Sequence, residues 1–479
     1  MMDFLTDLRH MFYITNPEET QFEDDEEITI VKHAIPFFGL FLIVEFIVAY
    51  FRGNLSSFDY KDIIASTSSG TMQQLVLLIS AETLSQPYFF IYNNFRLFTF
   101  DSTTWTHFIL LMLGTDLGYY WMHRNAHSWH WMWTGHSVHH SGQHYNVATA
   151  MRQGILQQFY SWPTYLPLAF IGFNPLQFMV HSQLNLIYQY WVHSEQIGYL
   201  GPLELIFNTP SHHRMHHRPP GNCNYAGVLI IWDRMFGTFR GEDKQIKSYG
   251  LAKPLQSYNG VWHNLQHWTR MMKINDHDNS NTISAWFNKI FARRVNHPMI
   301  INPLKMFQFE AKHKESLWKL DDGSSEAHRV ELFHGAKLNL AMTLHTFINF
   351  IISFLGSYTL MVIHKDIPKY QLSIVMLFFI WSLASVGQLL SELNRVAILT
   401  ESLRIYALQS FLMMPDKVLN FMFESNNVLR ETVENFIPDQ DIRLGGCIVL
   451  GGLWVVAFMT SKNFSSEVNV NNSGKIKAQ

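Results

Sequence analysis

Between Ala34 and Phe51 the chain runs eighteen residues with a single charge, Glu45, before Arg52 closes the run. As a helix that stretch reaches across roughly 30 Å of hydrocarbon. Gln74–Tyr92 and Trp105–Met122 are apolar runs of similar length, with one acidic residue each, Glu82 and Asp116. Trp162–Val180 and Asn185–Val192 are interrupted by Pro167 and Pro175, and they read as a hairpin that dips into the bilayer and brings His193 back to the face where His123 begins. A second apolar group comprises Leu338–Ile363, Leu372–Leu390 and Leu444–Met459, and "RIYALQSFLMM" between them reads as an amphipathic or shorter buried helix. Backbone crossing lipid must satisfy its own hydrogen bonds. The expected fold is therefore an all-α integral membrane protein, a multi-span helical bundle. Composition agrees, with 48% hydrophobic and only 15% charged residues.

The polarity of the chain divides it further. Residues 1–33, with an acidic run from Glu23 to Glu27, read as a cytosolic N-terminal segment without a signal-peptide layout, so targeting is expected to come from the spans. Residues 34–240 read as a membrane-embedded domain, 241–335 as a polar cytosolic segment, 336–460 as C-terminal membrane helices and 461–479 as a tail. A net charge of −3 gives no basic surface for nucleic acid. Two distant cysteines, Cys223 and Cys447, make no disulfide framework.

Histidine carries the chemistry. Of 25 histidines, 13 fall between His123 and His217. His123 and His127 stand four apart, His136, His139 and His140 are related by three and four, and His213, His216 and His217 repeat that second spacing, so each group shares a helical face. Pro210 opens the last short helix and Pro219-Pro220 ends it. His127 and His136 would lie about 13 Å apart along one straight helix, so the chain must bend between them, and Gly135 is the residue that allows it. Imidazole is a good ligand for Fe, Zn, Cu or Ni, and one ion rarely takes more than a few protein ligands, so eight or nine histidines point to a dimetal site. Neutral ligands leave such a site strongly positive, which suits oxygen chemistry if the metal is iron. The single "HNLQH" at His263 and His267 reads instead as an ordinary histidine pair.

The order HxxxH, HxxHH, a lone histidine at a span end and HHxxHH resembles the fatty acid hydroxylase and sterol desaturase superfamily of membrane di-iron oxygenases. "HRNAH", "GHSVHHSGQHYN", "AMRQG", "WVHSEQIGYLGPLELIFNTPSHHRMHH" and "NYAGVLIIWDRMFGTF" are similar to its tetrahydrobiopterin-dependent, ether-lipid-cleaving branch. By position, the resemblance implies His123, His127, His136, His139, His140, His193, His213, His216 and His217 as metal ligands, with His212 a possible tenth. Gln189 stands where some family members place a further histidine, leaving that slot to His212 or water. Ser128 stands where the pattern often has an acid, and Glu195 or Glu204 would substitute if that acid holds the pterin.

The resemblance also implies the cofactors, two iron ions and tetrahydrobiopterin, and the partners, an ether lipid in the bilayer, O2 and, indirectly, a pterin-recycling reductase. Reduced pterin supplies two electrons, oxygen enters the C–H bond beside the ether oxygen, and the resulting hemiacetal collapses to fatty aldehyde and glycerol. A multi-pass protein of the endoplasmic reticulum membrane with its site facing the cytosol follows, and "KIKAQ" resembles a dilysine retrieval signal, which would leave the sequons at Asn463 and Asn471 unglycosylated. Alternatives are a sterol or fatty-acyl hydroxylase or desaturase of the same superfamily and, less favoured, a metal transporter. Asp116, two turns before His123, is placed to hold a ligand imidazole or to make a structural contact. Asn146, Asn208 and Asn224 read as substrate, outer-shell or cap residues, with a helix cap favoured for Asn208. Trp129, Trp131, Trp133 and Tyr119–Trp121 read as a lipid tunnel or an interfacial belt.

Overall fold

The computed structural model describes residues 4–22, 28, 30–219, 221–242, 248–272, 287, 289–295, 332–412 and 440–460. Among them all regular structure is helical, apart from isolated β-bridges joining Trp129 to Arg293 and Phe207 to Leu229. The acidic run at Glu23–Glu27 and the tail with its dilysine-like signal and sequons lie outside the described residues. The chain divides into two compact units: Met1–Gly70, Ser80–Leu255 and His263–Leu332 in the first, Thr71–Ile79, Gln256–Trp262 and Phe333–Gln479 in the second.

The first unit is built on α1 (Phe4–His10), α2 (Ile30–Phe51), α3 (Tyr60–Phe95, whose residues 71–79 count with the second unit), α4 (Trp105–Ser128) and α5 (His130–His139). It continues through α6 (Gln157–Ser161), α7 (Leu166–Ile171), α8 (Pro175–Trp191), α9 (Pro210–His217), α10 (Ile231–Phe236) and most of α11 (Gly260–Met272). Helix starts follow capping chemistry. The side chain of Asp59 accepts from the amides of Lys61 and Asp62 to open α3, Thr104 accepts from His107 N to open α4, and Asn174 accepts from Leu176 N with Pro175 in the first turn of α8. α8 packs on α2 and α4, around a core that includes Tyr120, Val180, Leu184, Ile187 and Tyr225.

Two sequence expectations change here. The expected hairpin reverses at Gly172–Asn174, and α8 then runs unbroken through Val180 and Asn185. Gly172 sits at φ +119, and a Cβ there would lie 2.0 Å from the carbonyl oxygen of Phe98, so the turn requires glycine. Pro175 falls in the first turn of α8 and does not break it, and the polar residues along α8 find partners inside the bundle: Gln177 donates to Ser102 O at 3.2 Å, His181 Nδ1 meets the Tyr13 hydroxyl at 2.8 Å, and Asn185 donates to Asp116 at 2.8 Å. The bend between His127 and His136 falls at Trp129, whose extended backbone (φ −116, ψ 136) separates α4 from α5. Gly135 lies inside α5 and serves packing, because a Cβ there would lie 2.9 Å from both Gln157 N and the Tyr160 hydroxyl.

The second unit carries α12 (Leu340–Ile363), α13 (Lys369–Ser391), α14 (Arg395–Leu412) and α15 (Gln440–Thr460). α12 packs on α13 and α15, and α13 on α14. Arg404, in the stretch expected to be amphipathic or buried, points inward from α14. Its Nε donates to Glu401 Oε2 at 2.8 Å, while Glu401 also meets His345 of α12 at 2.7 Å and Ser385 of α13 at 2.6 Å. Charges buried among apolar helices persist when paired in this way. Four described helices, α2, α3, α12 and α13, are long and apolar enough to cross a membrane. α4 and α15 cover other expected runs without joining that set, and Gly446–Ala457 within α15 is a shorter apolar stretch.

Candidate metal centre

The break at Trp129 folds α5 back against α4, and the short α9 closes over both. His123 and His127 of α4, His136 of α5, His140 just beyond it and His216 of α9 form one group; His139 of α5, His193 beyond the end of α8, and His213 and His217 of α9 form a second. Within each group every histidine offers a ring nitrogen within 4.8 Å of the others, and all nine residues are buried. The three-and-four spacing explains the division. In the α5 segment, His136 and His140 face one group while His139 faces the other, and α9 divides His216 from His213 and His217 in the same manner.

Hydrogen bonds fix which nitrogen five of the nine rings present. Nδ1 of His123 meets the carbonyl of Tyr225 at 2.8 Å, Nδ1 of His136 meets Gln157 Oε1 at 3.0 Å, and Nδ1 of His139 meets the Arg152 carbonyl at 3.1 Å. Nδ1 of His193 meets the Gln189 carbonyl at 2.6 Å, and Nδ1 of His216 the Cys223 carbonyl at 2.7 Å. A carbonyl only accepts, so Nδ1 holds the proton and Nε2 keeps its lone pair. The Nε2 atoms of His123 and His136 are nevertheless 2.9 Å apart, and those of His139 and His193 3.2 Å apart. Two bare lone pairs repel at that distance. A shared cation removes the repulsion, since nitrogens about 2.1 Å from one ion at a right angle stand about 3 Å apart. The Nε2 atoms of His127, His140, His216 and His217 are buried without a hydrogen-bond partner, a cost that a metal bond also removes. The donor set thus fits two metal ions, one per group.

Burial keeps these rings neutral. Desolvation, and beyond it in most of the rings repulsion from neighbouring histidines, pushes His123, His127, His139, His140, His213 and His217 well below the ordinary imidazole value. Desolvation holds His136 and His193 down to about 4 and His216 to about 3. Neutral rings are the form that binds metal. In the metal-stripped protein these depressed values set a pH window. Above the ordinary value of 6.5 neither the folded nor the unfolded chain protonates these rings; between 6.5 and about 4 the unfolded chain takes up protons that the folded chain refuses, so stability falls with pH. The melting temperature of the stripped protein is expected to drop steeply across that interval. A flat profile between pH 6.5 and 4 would show that the rings are not buried neutral.

The loop after α9 sets the anchor of His123. Asp116 receives Asn185 Nδ2 at 2.8 Å, the amides of Val228 and Leu229 at 2.9 and 2.8 Å, and Trp232 Nε1 at 2.9 Å. Asp233 receives the amides of Tyr225 and Ala226, each at 2.8 Å. Asp116 therefore pins the 225–232 loop, and the ligand-facing role open to it passes to the Tyr225 carbonyl. Asp116→Ala would leave several buried donors unpaired and is expected to cost roughly 3 kcal/mol or more. Reduced melting temperature together with reduced metal content of purified protein is the measurement; full retention of both would contradict it.

Other expected residues fall outside the two groups. His212 places Nε2 3.4 Å from Glu204 Oε2. Gln189 turns its side chain to Asn185 Oδ1 at 2.8 Å, and its backbone serves His193. Ser128 bonds back to the Arg124 carbonyl at 2.7 Å. Glu195 lies 3.5 Å from the Tyr249 hydroxyl, and burial raises its carboxyl above the ordinary value. His263 stands 3.4 Å from Ser69 Oγ, and His267 3.3 Å from His130. Asn146 caps a 3₁₀ turn over Val147–Met151. Asn208 does not cap α9, whose cap is Thr209; it donates to the Ala226 carbonyl at 2.7 Å. Asn224, at φ +54, bridges the His212 and Arg240 carbonyls. Trp133 packs its ring 4.9 Å from His127 beneath the Arg294 guanidinium, and Tyr119 lies 5.4 Å from His123, so these aromatics wall the histidines. Sequence reasoning passed over Gln157, whose side-chain oxygen holds His136.

Four helices long and apolar enough to span a membrane, together with two buried histidine groups borne by other segments of the chain, define a multi-pass membrane protein with a polyhistidine cluster that fits metal, and residues 108–238 match the family model described as fatty acid hydroxylase. The chain is similar to alkylglycerol monooxygenases. It is 43% identical to that of Danio rerio over 259 residues, 53% of this chain and 57% of the relative, and 43% identical to that of Homo sapiens over 258 residues, with the same shares. The match thus spans little more than half the length of these relatives. Ornithine lipid hydroxylase OlsE of Rhizobium tropici is 33% identical over 135 residues, 27% of this chain and 41% of the relative. No solved structure matches.

Proposed function

We propose that the protein is a tetrahydrobiopterin-dependent di-iron monooxygenase that hydroxylates the carbon next to the ether bond of alkylglycerols, releasing fatty aldehyde and glycerol. The observation that carries this reading is the pair of buried histidine groups, whose Nε2 lone pairs converge to 2.9–3.2 Å, inside the stretch that matches fatty acid hydroxylases. The similarity to alkylglycerol monooxygenases selects the substrate.

In this reading His123, His127, His136, His140 and His216 hold one ion, and His139, His193, His213 and His217 the other. Iron supplied with reduced pterin brings oxygen activation to the site. The chain's own residues hold the imidazoles in the metal-binding tautomer, through the carbonyls of Tyr225, Arg152, Gln189 and Cys223, and exclude bulk water by burial. His212 is assigned to Glu204 in place of a tenth ligand position. Residues 34–240 form the catalytic domain, with 1–33 and 241–335 on the cytosolic side, 336–460 returning as membrane helices and 461–479 as the tail. The protein resides in the endoplasmic reticulum membrane with the metal face toward the cytosol, where a pterin-recycling reductase works.

Metal analysis of the purified chain, combined with pterin-dependent oxygen uptake, tests the proposal: two irons and uptake that requires both reduced pterin and ether lipid are expected. The ornithine lipid hydroxylase relative favours a second reading, hydroxylation of a lipid without an ether bond by the same centre, a class that includes fatty-acyl and sterol substrates. Oxygen uptake with such a lipid and an electron donor other than pterin would select it.

A further inference from the structure

A cavity of about 270 Å³ opens beside α9, lined by Tyr199, Glu204, His212, Arg234, Phe239 and Glu242 among others. The same helix supplies His212 to this cavity and His213, His216 and His217 to the histidine groups. Glu204 commits one oxygen to protein donors: Oε1 accepts from Leu200 N at 3.1 Å, Thr209 Oγ1 at 2.9 Å and Ser211 Oγ at 2.7 Å. Its other oxygen, Oε2, faces His212 Nε2 at 3.4 Å and is the one placed to serve a ligand. Arg234 lies beside it, donating to the Glu204 carbonyl at 3.0 Å with its guanidinium stacked 3.7 Å from the Phe239 ring centroid. Both oxygens of Glu242 are taken by Arg214, at 2.6 and 3.0 Å. Tyr199, 68% exposed, supplies an aromatic side chain to the lining.

With Glu242 neutralised by Arg214, the remaining pair, Glu204 and Arg234, carries no net positive charge, a poor seat for a phosphate or other anion. An acceptor beside a donor, with an aromatic face close by, matches instead a flat neutral ring whose edge runs donor, donor, acceptor. We propose that this cavity binds the 2-amino-4-oxo ring of a reduced pterin, with Glu204 accepting from the amino edge, Arg234 donating to the ring oxygen and Tyr199 packing on its face. The assignment rests on the pterin-dependent reading above and adds the residues that hold the ring. It puts the reductant on the helix that carries three of the nine histidines.

The test is equilibrium binding of tetrahydrobiopterin to the purified full chain in detergent, without lipid substrate. Glu204→Gln and Tyr199→Ala are each expected to weaken binding about tenfold or more, with metal content and melting temperature held at the native level. A lumazine, in which an oxygen replaces the amino group, is expected to bind the native chain about tenfold more weakly than the pterin, and Glu204→Gln to narrow that gap. Because Glu204 also braces Thr209 and Ser211, Tyr199→Ala and the lumazine comparison decide the matter if Glu204→Gln does not fold. Native-like pterin binding in Tyr199→Ala without discrimination against the lumazine would overturn the cavity assignment and leave the pterin reading standing. Failure of the native chain to bind pterin would overturn both.

Discussion

Alanine at any one of His123, His127, His136, His139, His140, His193, His213, His216 or His217 is expected to abolish turnover, with a loss of roughly 100-fold or more in protein expressed at native levels. Each substitution removes one nitrogen from a buried group whose members converge within 4.8 Å, and the remaining imidazoles then face a site they cannot complete. His263→Ala and His267→Ala, outside both groups, are expected to retain activity. The informative comparison is between His212→Ala and its neighbour His213→Ala. His212 contacts Glu204 and His213 contacts His193, so iron content should fall much further in His213→Ala. Near-native activity in several of the nine would remove the metal assignment, and equal iron loss at His212 and His213 would return His212 to the ligand set.

The gathering of the histidines was legible in their helical spacing, although the shared faces expected for His136, His139 and His140 and for His213, His216 and His217 each split between the two groups. The orientation of the rings was not. Four of the five Nδ1 anchors are backbone carbonyls, of Tyr225, Arg152, Gln189 and Cys223, and a carbonyl leaves no residue-specific trace. Asp116 illustrates the same limit. Its spacing from His123 put it on the right face, but the loop amides at Val228 and Leu229 compete for its oxygens, and only the fold brings them there. The bend at Trp129 has no sequence signal, because an extended tryptophan between two helices has no distinctive propensity, whereas Gly135, which has one, is needed for the close approach of Gln157 and Tyr160. In α8 Pro175 mimicked a break though it opens the helix, and the polar residues within it have partners, Tyr13, Ser102 and Asp116, that lie at least 69 residues away. The membrane runs at Ile30–Phe51, Leu340–Ile363 and Lys369–Ser391 were readable within a few residues, because composition alone dictates them.

The ether oxygen gives the second large effect. In detergent or membranes with iron, O2 and tetrahydrobiopterin, the protein is expected to convert a 1-O-alkylglycerol into fatty aldehyde and glycerol. The C–H bond beside the ether oxygen is weakened by the adjacent lone pair, and the hydroxylated product is a hemiacetal that falls apart without a further nucleophile from the protein. A glycerol ester of the same chain length has neither feature. Its turnover should be lower by about 100-fold or more, a difference of about 3 kcal/mol in the barrier. Aldehyde measured for the ether and ester, with and without reduced pterin, separates the possibilities. Aldehyde from the ether only when pterin is present supports the substrate and the reductant together. Equal turnover of both lipids would move the reaction from the ether-adjacent carbon to the chain, and hydroxylated acyl product formed with a different electron donor would keep the buried histidine centre while replacing the substrate.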